Sequence, residues 1–142
     1  YEQAENLLQE CHRIMKPGGT IRVIVPDVSI FVERYAKNDL AWFAEWEKHV
    51  LGPPRNRKLV SKMAAISFVT QEYGHQSSWD FETLSHFLAK VGFTAVRRRA
   101  FRQGANPRLL KDMDAPDRTL LSLYVEAEKP PSTIRFQSGN GG

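Results

Sequence analysis

Two short segments contain the side chains that are best suited to chemistry. Asp27 follows an apolar run and precedes a helical pattern, a position in which a carboxylate could orient a substrate or accept its proton. His75 lies in the second segment, and its imidazole is suited to proton transfer near neutral pH. Asp27 could instead only cap the next helix, and His75 could be an ordinary loop residue. We take these two residues as the catalytic candidates.

The residues near the catalytic candidates are the candidate substrate-binding residues: Pro26, Tyr73, Trp79 and Asp80. Trp79 and Asp80 lie where a helix is predicted to start, and a substrate could be held there. The aromatic face of Trp79 could pack on a substrate ring or on a sulfonium group. The alternatives are that Trp79 belongs to the hydrophobic core and that Asp80 is an N-cap.

Other reactive residue types show no catalytic spacing. Cys11 and His12 are adjacent on a predicted helix, as are Ser85 and His86, so the side chains of each pair point apart. Three aspartates fall in a turn-rich stretch and are assigned to turns rather than to a metal site: Asp112, Asp114 and Asp117. The four histidines lack the spacing of zinc ligands, so we predict no metal site.

The composition is that of one ordinary globular domain: 142 residues, 42% hydrophobic and 25% charged. No apolar run approaches the ~18 residues of a membrane span, and the N-terminal residues lack the features of a signal peptide. Cys11 is the single cysteine, which excludes an intrachain disulfide and fits a reducing compartment. These observations favour a cytoplasmic protein that does not bind membranes.

The net charge of +4 comes largely from two basic stretches, residues 55–62 and 97–102. This charge could attract an anionic substrate, but it falls short of a nucleic-acid-binding signature. Residues 55–62 are either a solvated face or a surface for phosphate or a nucleotide-sugar. A nucleic-acid binder that uses residues 97–102 is the weakest of the functional alternatives.

Hydrophobic periodicity and breaker residues predict alternating helices and strands. In the first half we expect a helix up to Met15, a strand at 20–25 buried in a parallel sheet, helices at 28–50 and 59–69, and a loop at 70–79. In the second half we expect a helix from an N-cap at Asp80 to Val91, stopped by Gly92, and strands at 94–101 and 121–126. Residues 1–129 would form the domain, and residues 130–142 a flexible tail.

The order of these elements resembles a known family. A helix ending in Met15-Lys16-Pro17-Gly18-Gly19, followed by a strand and Pro26-Asp27, is similar to the fourth helix and fifth strand of class I S-adenosylmethionine-dependent methyltransferases. The second half resembles the family's closing unit, whose last strand inserts antiparallel between the fifth and sixth. Residues 75–84 are similar to a subgroup with His, an aromatic residue and Asp before this helix.

The resemblance implies an α/β fold: the C-terminal portion of a Rossmann-like methyltransferase sheet, strands 5, 6 and 7, with a helical insertion at about 28–70. It implies transfer of a methyl group from S-adenosylmethionine to a small-molecule or sugar acceptor. The family's glycine-rich cofactor turn and ribose-binding acid have no counterpart in these residues, so we assign no cofactor-binding residue. We expect no cofactor binding by this chain alone.

The missing half of the sheet also bears on assembly. Residues 20–25 are almost entirely apolar, with only Arg22 to discourage pairing, and such an edge is a template for another strand. We therefore expect a homodimer that uses the first helix and this strand. The alternative to an enzyme is accordingly a non-catalytic interaction or dimerisation module of methyltransferase descent.

Overall fold

The computed structural model describes residues 1–51, 60–71 and 76–132, without the side chains of Leu51 and Asp117. These residues contain six α-helices, one 3-10 helix (Pro107–Leu109) and three strands. The helices are α1 (Glu2–Ile14), α2 (Val28–Ala36), α3 (Leu40–Leu51), α4 (Lys62–Gln71), α5 (Phe81–Val91) and α6 (Pro116–Leu121). The strands are β1 (Thr20–Pro26), β2 (Thr94–Arg99) and β3 (Ser122–Glu128). The predicted tail lies outside the described residues from 133 onward.

The three strands form one antiparallel sheet in the order β1-β3-β2. Val125 of the central strand lies opposite Val23 of β1 on one side and opposite Arg98 of β2 on the other. The prediction that the last strand inserts antiparallel between the other two is confirmed. The prediction that β1 is buried in a parallel sheet is wrong for the described residues: β1 is an edge strand, it pairs antiparallel, and none of its residues is fully buried.

One face of the sheet packs against α1 and α5. Side chains alternate across a strand, so the odd-numbered residues of β3 share this face. The buried residues of this core are Leu8, Leu84, Leu88, Phe93, Leu123, Val125 and Ala127. The predicted alternation of Leu123 and Val125 toward the core is confirmed. The intervening Tyr124 and Glu126 are also buried, and this was not predicted.

The helical insertion has its own core. Its buried residues are Phe31, Phe43, Trp46, Ala65, Phe68 and Val69. In its described residues the insertion holds three helices rather than a pair, because the predicted helix at 28–50 is interrupted at Asn38, whose φ is 53°. Asp39 then caps α3, its Oδ1 accepting a hydrogen bond of 3.0 Å from the backbone N–H of Trp42.

Local capping residues set three helix boundaries as predicted. The carboxylates of Asp27 and Asp80 accept from the first turns of α2 and α5, and Gly92 ends α5 with a φ of 109°. The helix predicted at 59–69 begins later, at Lys62, and Ser61 Oγ accepts from the N–H of Ala64. Leu59 lies outside the described residues.

Two boundaries near the second half of the sheet differ from the prediction. The strand β2 ends at Arg99 rather than at 101, and it contains a bulge between Thr94 and Arg97 with Ala95 at a φ of 51°. The helix α6 was predicted as loop and strand, but Pro116 at its first turn favours a helix start. Among the described residues, no helix is long and apolar enough to cross a bilayer.

Candidate functional site

A cavity of about 570 Å³ lies between the carboxyl end of β1 and the helical insertion. Its walls come from three helices, two strands and the segment before α6: Ile24, Val25, Pro26, Trp46, Val50, Phe68, Val69, Met113, Arg118, Leu121, Ser122 and Tyr124. Ligand pockets commonly have volumes of about 300–1,000 Å³ and mostly apolar walls with a few polar groups. The cavity is therefore a candidate binding site for a small molecule. Of the predicted site residues, Pro26 lines it.

Two polar groups in the cavity wall are buried. Trp46 is 1% exposed, and its indole Nε1 has no hydrogen-bond acceptor among the described residues. Tyr124 is almost fully buried, and this burial raises the pKa of its phenol. Arg118 adds a cation to the wall. From the sequence, the cluster of Trp42, Phe43 and Trp46 is interpreted as helix core, with a ligand-binding cluster as the alternative, and the cavity itself was not predicted.

Asp27 lies directly after Pro26, and both of its carboxylate oxygens have partners. Oδ1 accepts from the N–H of Ser29 at 3.2 Å and from its Oγ at 2.5 Å. Oδ2 accepts from Arg98 Nη2 at 2.7 Å, which ties α2 to β2. The N-cap interpretation of Asp27 is thus confirmed. Three of the roughly four acceptor positions of this carboxylate are occupied. Because Asp27 is 2% exposed, a substrate has little access to the remaining one.

Of the other predicted site residues, Trp79 lies next to Asp27. The N–H of Val28 donates to the carbonyl of Trp79 at 2.9 Å, which brings the segment before α5 alongside Asp27. The ring of Trp79 packs edge-on against Tyr1 and Phe87, so its core interpretation is supported.

Asp80 acts as the N-cap of α5. Its Oδ1 accepts from the N–H of Thr83 at 2.8 Å, and hydrogen bonds from Thr83 lower the pKa of Asp80. Tyr73 and His75 lie outside the described residues.

A buried ion network lies beside the cavity on the same face of the sheet. The guanidinium of Arg22 contacts Asp112 and Glu126, and the exposed fractions of the three side chains are 3%, 0% and 3%. Glu126 Oε2 also accepts from Arg99 Nε at 2.9 Å and from the N–H of Ala105 at 3.0 Å. The assignment of Asp112 to a turn is therefore wrong, because Asp112 is a buried ion-pair partner. Arg22, which was expected only to discourage strand pairing, is the cation of this network.

The network consists of fixed charges. The hydrogen bonds that Arg22 donates to Asp112 lower the pKa of Asp112 and raise the pKa of Arg22. Burial by itself raises the pKa of Glu126, but the N–H of Ala105 and the guanidiniums of Arg99 and Arg22 outweigh it, so the pKa is lowered. All of these groups are charged at neutral pH. Oppositely charged residues in the middle of two apolar strands were the sequence signal for this network.

The network holds part of the cavity wall in place. Asp112 is adjacent to Met113, and Arg22 is two residues before Ile24 on the same strand face. The guanidinium of Arg22 also donates to the carbonyls of Ala100 and Gln103, at 3.1 and 3.0 Å. These contacts attach residues 100–113 to the sheet.

The arginines of the 97–102 stretch each have a carboxylate partner. Ion pairs join Arg98 to Asp27, Arg99 to Glu126, Arg97 to Glu128 and Arg102 to Asp114. The separations range from 2.7 Å for Arg98 to 3.9 Å for Arg97. Much of the positive charge of this stretch is balanced within the chain.

The turn at Gly18 and Gly19 does not have the arrangement of a cofactor-binding glycine turn. Gly18 and Gly19 stand between a helix and a strand, whereas a cofactor turn stands between a strand and a helix. Their backbone groups are moreover paired with Lys129, at 2.9 Å from Gly18 N and 2.8 Å from Gly19 O. Within the same ranges of the chain, no group of three or more His, Cys, Asp or Glu residues could hold a metal ion.

No protein family model, curated protein or solved structure matches this chain.

Proposed function

We propose that this chain is the C-terminal half of a class I S-adenosylmethionine-dependent methyltransferase domain, with the cofactor-binding half outside residues 1–142. The observation that supports this best is the sheet order β1-β3-β2 with β3 antiparallel to both neighbours. It is the order that the resemblance implies for the family's fifth, seventh and sixth strands. The Lys16-Pro17-Gly18-Gly19 turn between α1 and β1 agrees with the same assignment.

The position of the cavity supports a methyl acceptor site. Ligands of open α/β sheets bind beyond the carboxyl ends of the strands, and the cavity adjoins the last three residues of β1. Methyl transfer from a sulfonium needs mainly alignment of the acceptor, so a mostly apolar cavity suits it. Asp27, next to this strand end, would orient the acceptor or its surroundings, and His75 stays the predicted base.

The decisive experiment uses the longest reading frame that contains this sequence. The expected result is an upstream strand followed by Gly-x-Gly-x-Gly, saturable binding of S-adenosylmethionine, and release of S-adenosylhomocysteine with an acceptor. Asp27→Asn and His75→Ala should each lower turnover more than tenfold with little change in cofactor affinity, while the exposed Asp114→Asn should not. Residues 1–142 alone should give no titration signal with S-adenosylmethionine. A saturable micromolar site on residues 1–142, or a longer protein without the glycine turn, would refute the proposal.

Exposed apolar side chains favour a second candidate function, a non-catalytic interaction module that pairs with a second copy. Ile24 on the edge strand β1 is 43% exposed, and Leu7 and Ile14 on α1 are 65% and 68% exposed. An unpaired apolar strand edge is a template for another strand. Sedimentation of residues 1–142 at low micromolar concentration should give a dimer that Ile24→Lys dissociates and the exposed Val32→Lys leaves intact. A monomer would exclude this function.

A further inference from the structure

The cavity at the end of β1 has a predominantly apolar wall. Apart from Arg118, Ser122 and Tyr124, every described residue that lines it has an apolar or aromatic side chain. These residues come from β1, three helices and the segment before α6, so the apolar surface is concave rather than one flat face. A volume of about 570 Å³ has room for a molecule of about two or three rings.

Part of this apolar wall is exposed to water. Ile24 of β1 is 43% exposed and Met113 is 66% exposed, and both line the cavity. Exposed apolar surface that borders a groove is typical of a binding site. A ligand that packs against these two side chains would remove their surface from water, which is favourable.

The polar residues of the wall offer little to a charged ligand. Burial raises the pKa of the Tyr124 phenol, which stays uncharged at neutral pH, and its side chain hydrogen-bonds with that of Ser122. Arg118 has an interaction of its own within the chain, and none of the described lining residues is a carboxylate. A charged group on a ligand would therefore lose its water here without gaining a dedicated counter-charge, which costs free energy.

We infer that this cavity binds a neutral, mainly apolar small molecule rather than an ion or a sugar. A sugar would place several hydroxyl groups against side chains that form no hydrogen bonds with them, and each hydroxyl left without a partner costs free energy. Binding itself depends only on the cavity. That this molecule is the methyl acceptor rests on the proposed function.

Fluorescence titration of residues 1–142 with N-phenyl-1-naphthylamine tests the inference, because the emission of this neutral probe increases when it leaves water. We expect one saturable site per chain. The neutral competitor 2-naphthylmethanol should displace the probe at a concentration at least tenfold lower than two charged competitors with the same rings. These are the anion naphthalene-2-carboxylate and the cation 2-naphthylmethylammonium.

Substitutions in the wall locate the probe. Val50→Phe fills part of the cavity and should weaken probe binding at least tenfold. Met113→Glu places a carboxylate in the wall, at a position exposed enough for the fold to accept it, and should weaken binding at least threefold. The matched controls are Val32→Phe and Val32→Glu, because Val32 is 57% exposed on α2 and lies outside the cavity wall. Both controls should bind the probe as the unaltered chain does.

The inference is overturned if the probe shows no saturable site, or if either charged competitor displaces it as well as the alcohol does. It is also overturned if a folded Val50→Phe variant binds the probe as the unaltered chain does. Circular dichroism checks that each variant folds, and Met113→Glu decides if Val50→Phe does not fold. A probe affinity that decreases as the protein concentration rises would mean that a second copy covers the wall, which also overturns the inference.

The titrations contain no S-adenosylmethionine, so their outcome is separate from the proposed function. Binding of neutral ring compounds without methyl transfer in the longer protein would refute the acceptor role and leave the binding site.

Discussion

The guanidinium of Arg22 donates two hydrogen bonds to the carboxylate of Asp112, from Nε at 2.8 Å and from Nη2 at 2.6 Å. The two residues are 90 positions apart, and their side chains are almost completely buried. Asp112 Oδ2 also accepts from the N–H of Arg102 at 2.6 Å. This ion pair therefore connects the middle of β1 to a segment that has little regular structure of its own.

Removing one member of the pair should destabilise the fold strongly. Asp112→Ala leaves the guanidinium of Arg22 buried with only Glu126 as a counter-charge, and breaking a buried pair in this way typically costs about 3–5 kcal/mol. We expect the free energy of unfolding to fall by about 3 kcal/mol or more, as measured by urea denaturation.

Asp114→Ala is the matched control for this substitution. The Asp114 side chain is 66% exposed, and its carboxylate lies 3.4 Å from Arg102. Exposed ion pairs contribute little, so a change within about 0.5 kcal/mol is expected. Equal effects of the two substitutions would show that the buried pair contributes no more than a surface pair.

Sequence reasoning succeeded where the determining contacts are local. The caps at Asp27, Asp80 and Gly92 depend on groups within four residues, and all three were predicted. It failed where partners are distant. The partner of Arg22 lies 90 residues away, and the cavity exists only once Trp46 and the end of β1 are packed together. A charge inside an apolar strand indicates that Arg22 and Glu126 need partners, but no local pattern identifies Asp112 as the partner or predicts the cavity.

For the candidate site too, the sequence located individual residues but not the contacts between distant segments. Asp27 and Trp79 are neighbours across a backbone bridge. The sequence placed one at a strand end and the other at a helix start, but it did not predict that they are adjacent. The break at Asn38 was missed, because the apolar periodicity continues across it and only the left-handed φ interrupts the helix. The candidate cavity was missed because its residues come from separate helices and strands whose packing no local pattern encodes.

The buried carboxylates should make stability depend on pH at the acidic end. The pKa values of Asp112 and Glu126 are lowered in the folded state, so the unfolded chain binds their protons more tightly. Their contribution to the free energy of unfolding is complete above the unfolded pKa values of about 4. It is lost as the pH falls from there through the lower folded-state values. Urea midpoints measured from pH 6 to pH 3 should decrease accordingly.

Asp112→Asn separates this contribution from that of the other carboxylates. The amide cannot titrate, so its urea midpoint should be lower at pH 6 but should decrease less between pH 5 and pH 3. If the variant and the unaltered chain lose the same free energy over this range, Asp112 does not have a lowered pKa.

Lys129 should stabilise the end of α1. Its Nζ donates to the carbonyls of His12 at 2.6 Å and Met15 at 2.9 Å, which no helical N–H can reach. A cation there also interacts favourably with the helix dipole. Lys129→Met keeps the aliphatic stem, and we expect it to lower the free energy of unfolding by about 1–2 kcal/mol.

Lys90→Met is the control for Lys129→Met. Lys90 is 51% exposed and forms an ion pair of 2.8 Å with Glu5. Its removal should change stability by less than about 1 kcal/mol. Hydrogen exchange at the last turn of α1 should accelerate in Lys129→Met and not in Lys90→Met. The reverse pattern would contradict the role of Lys129 as a helix cap.

The left-handed conformation of Ala95 in the β2 bulge can be tested with glycine substitutions, because glycine should stabilise the fold there and destabilise it in a helix. Ala95 is exposed and has a φ of 51°, a left-handed conformation that costs a residue with a Cβ about 1–2 kcal/mol. Glycine avoids that cost but gives the unfolded chain more freedom, which offsets about 0.4–1 kcal/mol. Ala95→Gly should therefore raise the free energy of unfolding by up to about 1 kcal/mol.

In contrast, Ala89→Gly, on the exposed face of α5, should lower the free energy of unfolding by about 1 kcal/mol. Thermal unfolding of both variants should shift the Tm in opposite directions, and a decrease of similar size in both would mean that Ala95 is not held in the left-handed region.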